Sequence, residues 1–205
     1  MSDRSADPAI GVLEYGSISA GIVAGDAMVK SSPVGSIYAG STHPGKYLVL
    51  VSGDTASVET SLQAGRDAAG VPPDDEVFLA DVHADVAAAV VGDDSAASLA
   101  GEALGIVETA TIPALLAAAD AGVKAAPVRL AALRIADDLG GKGYLLFAGA
   151  VADVEASLER AVAAAGRRLV RSDLIAMLHA EMAANLESEL RFMRRVVLRI
   201  KERAS

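Results

Sequence analysis

Apolar residues along this chain come as short β-rich runs and as helical stripes, in a fixed order. Ile10 to Leu13 reads as a strand. Ser17 to Ser32 carries Ile18, Ile22, Ala27 and Met28 at helical spacing, with Lys30 in the last turn, where a cation complements the helix dipole. Pro33 stops that helix. Val34 to Ala39 and Tyr47 to Ser52 are β-rich runs around Gly40-Ser41-Thr42-His43-Pro44-Gly45-Lys46, the pattern of a hairpin. Thr55 to Gly70 is a helix with Val58, Leu62 and Ala69 on one side, and Asp54 or Thr55 can cap it. Glu76 to Val82 is the next strand. The order is β-α-β-β-α-β.

The second half repeats it, with strands at 103–107, 128–135, 143–148 and 168–175 and helices at 112–126 and 151–165. The residues repeat as well. Gly11-Val12-Leu13-Glu14 returns as Gly105-Ile106-Val107-Glu108, Asp26 to Lys30 as Asp120 to Lys124, and Pro33-Val34 as Pro127-Val128, all 94 positions on. Gly45-Lys46 returns as Gly141-Lys142, Gly53 as Gly149 and Gly70 as Gly166, now 96 positions on. Two residues have therefore entered the second copy between Val128 and Gly141. The predicted fold is α+β: two tandem ferredoxin-like units, each an antiparallel sheet with both helices on one face. The expected divisions are a disordered 1–9, a first domain at 10–83, a connector rich in Ala, Asp and Ser at 84–102, and a second domain at 103–178. A C-terminal helical extension at 179–205 completes the chain. Its stripe is Met182, Leu186, Leu190, Met193 and Val197, with acids early and Arg191, Arg194, Arg195, Arg199, Lys201 and Arg203 late.

Composition narrows the function. With 52% apolar residues a real core can form, and with only 3% aromatics Ala and Val must fill it. A net charge of −9 argues against a nucleic-acid surface. The chain has no Cys, so no disulfide, thiolate metal site or thiol nucleophile is available. Met1 to Ala9 lacks the basic and apolar regions of a secretory signal, and no run is long and apolar enough to be read as a membrane span.

Catalytic motifs are weak. Gly40-x4-Gly45-Lys46 approaches a phosphate-binding P-loop, but Tyr47 stands where Ser or Thr should hold magnesium, and a strand follows in place of a helix. His43, His83 and His179 show no close metal-ligand spacing. There is no GxSxG elbow and no dinucleotide fingerprint. Glu14 and Glu108 recur at matched positions, which suits a structural role better than a catalytic one. Asp137 and Asp138 sit in the longer loop of the second copy, open either to solvent or to an ion or pore.

Taken in order and in duplicate, these segments resemble the bacterial microcompartment shell proteins of the tandem-domain, unpermuted class, including the trimeric ones of propanediol-utilisation compartments. The likeness rests on Gly11 to Glu14, Ala24 to Lys30 and the Gly53-Asp54 to Gly65 helix entry in the first copy. In the second it rests on Leu104 to Thr109, Ala118 to Ala125 and Gly149 to Glu155. The resemblance implies a homotrimer imitating a hexagonal tile, in a shell within the bacterial cytoplasm built with other hexameric and pentameric shell proteins. It implies a pore lined by the loops Ser41, Thr42, His43, Pro44, Gly45, Lys46 and Asp137, Asp138, Leu139, Gly140, Gly141, Lys142, passing small metabolites. It places Lys30 and Lys124 at the tile edge. Some tandem members hold an iron–sulfur cluster through a cysteine in the Pro-Gly-Lys loop; here His43 precedes Pro44 and no cysteine exists. No cofactor is expected, and a threefold ring of His43 is the one candidate for a metal ion. The resemblance implies no enzyme activity, no membrane or nucleic acid, and leaves the C-terminal helix free to meet enclosed enzymes. The alternative from element order alone is a soluble ligand-binding sensor or enzyme on two ferredoxin-like domains.

Overall fold

The computed structural model describes residues 9–92, 98–135 and 139–187. The first copy runs β1 (Ala9–Tyr15), α1 (Ile18–Ser31), β2 (Ser36–Thr42), β3 (Lys46–Gly53), α2 (Thr55–Ala68), β4 (Asp75–Leu79) and α3 (Ala84–Val90). The second runs β5 (Ala103–Thr109), α4 (Ile112–Ala125), β6 (Arg129–Ile135), β7 (Gly143–Gly149), α5 (Val151–Ala165), β8 (Leu169–Ile175) and α6 (Ala180–Glu187). Each copy folds one antiparallel sheet of four strands, ordered β2-β3-β1-β4 and β6-β7-β5-β8. The residues predict these elements well, and the strands run one to three residues further at some ends.

Strand alternation decides the layers. On β1, Leu13 and Tyr15 face α1 and α2, packing with Met28, Val58 and Leu62. Gly11 lies under the same helix, where a Cβ would come within 2.9 Å of Val58 and Leu62. Ile10 and Val12 point to the opposite face, and that face is not open to solvent. It is covered by Val86, Ala87 and Val90 of α3, a helix within the stretch read as a connector. A central strand buried on both faces needs cover on both sides. The second copy does the same with Leu104 and Ile106 under Leu178, Ala183 and Leu186. The repeat therefore has a third helix in each unit. The C-terminal stripe is a helix from Ala180 to Glu187, and its basic end lies outside the described residues.

Helix ends follow local chemistry. Ser17 caps α1 by accepting from the Ala20 N–H, and Asp54 caps α2 by accepting from Ser57 at 3.0 Å. The second copy lacks both caps: Thr111 and Ala150 offer no side-chain bond.

Pairing register locates the insertion. Ser41 pairs with Tyr47 in the first copy and Ile135 with Gly143 in the second. Five residues connect the first pair and seven the second, so both extra residues lie in the loop at 136–142. Upstream, Ala131 is bulged out of the β6–β7 ladder, while Gly35 of the first copy has no counterpart; these two changes cancel.

Candidate functional site

The two copies meet along a seam, and the repeated residues behave differently on its two sides. On one side stand the end of β1, the start of β3 and the segment from β4 to His83. On the other stands α4, whose Ile112, Leu116 and Val123 are buried. At one end of this seam Glu14, fully buried, receives the Lys46 ammonium at 2.5 Å on one oxygen and the Ile112 backbone N–H at 2.8 Å on the other. The carboxylate thus supplies the cap that Thr111 does not, at the positive end of α4. Lys46 also donates to the Ala110 carbonyl at 3.2 Å. Burial pushes the Glu14 carboxyl above its ordinary value, and Lys46 and the Ile112 N–H only partly offset this. At the other end Asp120 accepts from the His83 backbone N–H at 2.8 Å and from Lys124 at 2.7 Å, and Lys124 also donates to the Asp81 carbonyl. Beside Glu14, Thr111 donates to Asp75, and Arg168 bonds the Asp74 carbonyl and pairs with Asp75.

The predicted loop residues come together beside this seam. Ser41 and Thr42 end β2, and a tight turn with a cis His43–Pro44 peptide is closed by Gly45 N–H to the Thr42 carbonyl at 2.9 Å. His43, Pro44 and Gly45 are exposed. In the second copy Lys142 N–H closes a turn on the Leu139 carbonyl, and Gly140 and Gly141 both take positive φ. Gly141 lies against the first loop: a Cβ there would sit 3.0 Å from Pro44 Cδ and 3.3 Å from the His43 carbonyl. Asp137 and Asp138 lie outside the described residues.

The two loop lysines are not free cations. Lys46 turns into the seam, and Lys142 pairs with Glu108 at 2.7 Å on the open side of the second copy. Of the predicted edge lysines, Lys30 pairs with Asp26 on an exposed helix face, whereas Lys124 is held by Asp120 and Asp81. Among the described residues no group of three His, Asp or Glu side chains converges in one chain. His83 and His179 instead do local work: each ring nitrogen accepts from the backbone N–H two residues on, at the starts of α3 and α6.

The sequence contained a signal for these helices. His83-Ala84-Asp85-Val86-Ala87 returns as His179-Ala180-Glu181-Met182-Ala183 at the later offset of 96. No helix among the described residues is long and apolar enough to cross a membrane.

This doubled βαββαβ fold with paired loops is the architecture of a shell-forming unit. The model of the BMC domain matches the chain twice, over residues 9–91 and 103–178. The bacterial microcompartment shell protein PduT of Citrobacter freundii is 38% identical over 176 residues, covering 85% of this chain and 95% of that one. The crystal structure of a microcompartment protein from Desulfitobacterium hafniense DCB superposes with a TM-score of 0.74 at 38% identity, covering 85% of this chain and 97% of the other. A fused permuted hexameric shell protein of the RMM microcompartment shares the fold at a TM-score of 0.55 and 19% identity, over 88% and 83% of the two chains. The chain belongs to the BMC-domain shell proteins of bacterial microcompartments, and its role is structural.

Proposed function

We propose that three copies of this chain close into a pseudohexagonal tile whose centre is a pore lined by residues 40–46 and 136–142. The contact of Gly141 with the His43–Pro44 turn carries this reading, because it brings the tips of both loops to one end of the seam. A ring of three chains would alternate the two loops six times about one axis. Lys46 and Lys142 are neutralised by Glu14 and Glu108, so the lining is set chiefly by the His43 turn and by the longer loop. Such a pore passes small metabolites and needs no catalytic residue, and we assign none. Hexameric and pentameric shell proteins are its neighbours in the shell, and enclosed enzymes are partners for the C-terminal extension.

Three His43 rings on the axis would offer nitrogen donors suited to zinc, copper, nickel or iron. Among the described residues no single chain gathers three such ligands, so this site is one shared between chains.

Electron microscopy of purified protein should show threefold discs or sheets. A monomer that binds a small ligand saturably, in the groove of about 540 Å³ between Leu48, Leu50, Val90 and Leu133, would instead support a soluble sensor or enzyme. Elemental analysis of the trimer against His43→Ala reads the axis. One ion per trimer, lost in the variant, makes it a metal site; equal content in both makes it an open polar pore.

A further inference from the structure

A groove of about 540 Å³ opens on the face of the first sheet that α3 covers only in part. Val12, Leu48, Leu50 and Ile112 give it an apolar lining, and β2, the end of α3 and the edge strand β6 form its walls. Side-chain size explains the opening. Register sets Gly40 opposite Leu48 in the first copy, and Arg134 opposite Tyr144 at the matching place in the second. The first copy has the smaller residue at both positions. Partners across a ladder share a face, so a Cβ on Gly40 would point the way Leu48 does, and it would meet no atom within 4 Å. Tyr38, on the same face, is 57% exposed.

The lining is polarised. Among the described residues that form it, Arg134 is the one that carries charge, and it makes no ion pair among the described residues. Thr42 stands at the same end, where β2 and β6 run into the two loops that touch at Pro44 and Gly141. Glu14, which accepts from the Ile112 N–H, already holds Lys46. Away from the loops a hollow of about 150 Å³ shares Tyr38, Leu50 and Val90 with the groove and reaches Ile10. The two serines in its wall, Ser36 and Ser52, bond each other. The groove is therefore cationic toward the loops and apolar away from them.

We infer that this groove binds a short aliphatic monocarboxylate, its carboxylate on Arg134 and its chain over Leu48 and Leu50. A planar guanidinium matches a carboxylate through two parallel N–H···O bonds, and the Thr42 hydroxyl can donate another. One cation in the lining suits one negative charge, the more so in a chain of net charge −9. From Tyr38 to Thr42 the strand spans about 13 Å, room for a chain of about six carbons with its head. A mostly apolar cavity with a few polar groups at one end is the common form of a small-molecule site, and this volume lies in the usual range. Every lining residue belongs to one chain, so the site goes beyond the trimeric reading and does not depend on it.

Saturation-transfer difference NMR of the full chain, titrated with hexanoate, reads the site, with hexanamide and acetate as controls for the head and the chain. Hexanoate should saturate with a Kd on the order of 1 mM, and each control should bind at least about tenfold more weakly. Arg134→Gln removes the charge and should weaken hexanoate by about tenfold. Gly40→Leu fills the groove and should abolish saturable binding. Arg134 is partly exposed and a side chain at Gly40 meets open space, so circular dichroism of both variants should match wild type. Hexanoate that fails to saturate, or that binds both variants as it binds wild type, overturns the site. Hexanamide bound as tightly as hexanoate overturns the carboxylate assignment. Each of these results leaves the trimer standing, because electron microscopy reads it separately.

Discussion

Glu14 shows how much one side chain decides in this molecule. It joins a lysine of its own copy to the helix start of the other, and it does so out of water. Replacing Glu14 by Ala strands an ammonium and a backbone N–H in the seam, and chemical denaturation should show a loss of about 2–4 kcal/mol. The pH dependence has a definite sign. Burial raises this carboxyl above its ordinary value of 4.5, so the folded state holds the proton more tightly than the unfolded chain does. The corresponding stability is fully present below 4.5 and is lost as pH rises through the folded value. Glu14→Gln cannot ionise. Wild type should therefore lose thermal stability relative to Glu14→Gln as pH rises from 4.5, and a gap that stays constant on that rise would refute it. The paired recurrence of Glu14 with Lys46 and of Glu108 with Lys142 was visible in the sequence. Their bonding was not, because the partners lie on different strands and the third member, Ile112 N–H, belongs to the other copy.

At the scale of elements, the two copies keep their backbone and exchange their volumes. In the first copy, helix Gly21 lies against strand Tyr47; in the second, helix Leu115 lies against strand Gly143. Two turns along the same helices, Met28 and Val51 share one core while Gly122 meets Phe147. Each cavity is filled from the helix in one copy and from the strand in the other. A Cβ at Gly122 would fall 2.2 Å from Phe147 Cζ, so Gly122→Ala should cost about 1–3 kcal/mol. Gly21→Leu alone should collide with Tyr47, and Gly21→Leu with Tyr47→Gly should recover part of that loss, since it installs the pair found in the second copy. A double-mutant cycle by thermal melting measures this, and a coupling near zero sinks it. The strand and helix order was legible because each run is long enough to show its period. α3 was missed because seven residues rich in alanine show no stripe, although its His-Ala-acid opening was duplicated in α6.

For the whole molecule, the offset change of 94 to 96 becomes a statement about one loop. Register assigns both inserted residues to 136–142, whose Gly141 lies against the His43 turn, and strand pairing rather than sequence identity supplies that precision. Lys30 and Lys124 belong to equivalent ends of equivalent helices; Lys30 spends its ammonium on the exposed Asp26, a contact worth little on its own, and Lys124 on the buried Asp120 and the Asp81 carbonyl within its own chain. Lys30→Ala combined with Lys124→Ala should therefore leave the trimer intact in ultracentrifugation while reducing sheets or shells in electron micrographs. Undiminished sheets would remove the tile-edge role from both lysines.

The exchange of large and small residues also bears on how such a gene can change. The two halves look interchangeable, and a crossover between them would keep the chain's outline. A crossover falling between the helix and the hairpin would set Gly21 opposite Gly143, opening a hole, or Leu115 opposite Tyr47, forcing a collision. The halves thus pack well only as intact blocks. Packing penalises shuffling and couples a change on the helix to one on the strand of the same half.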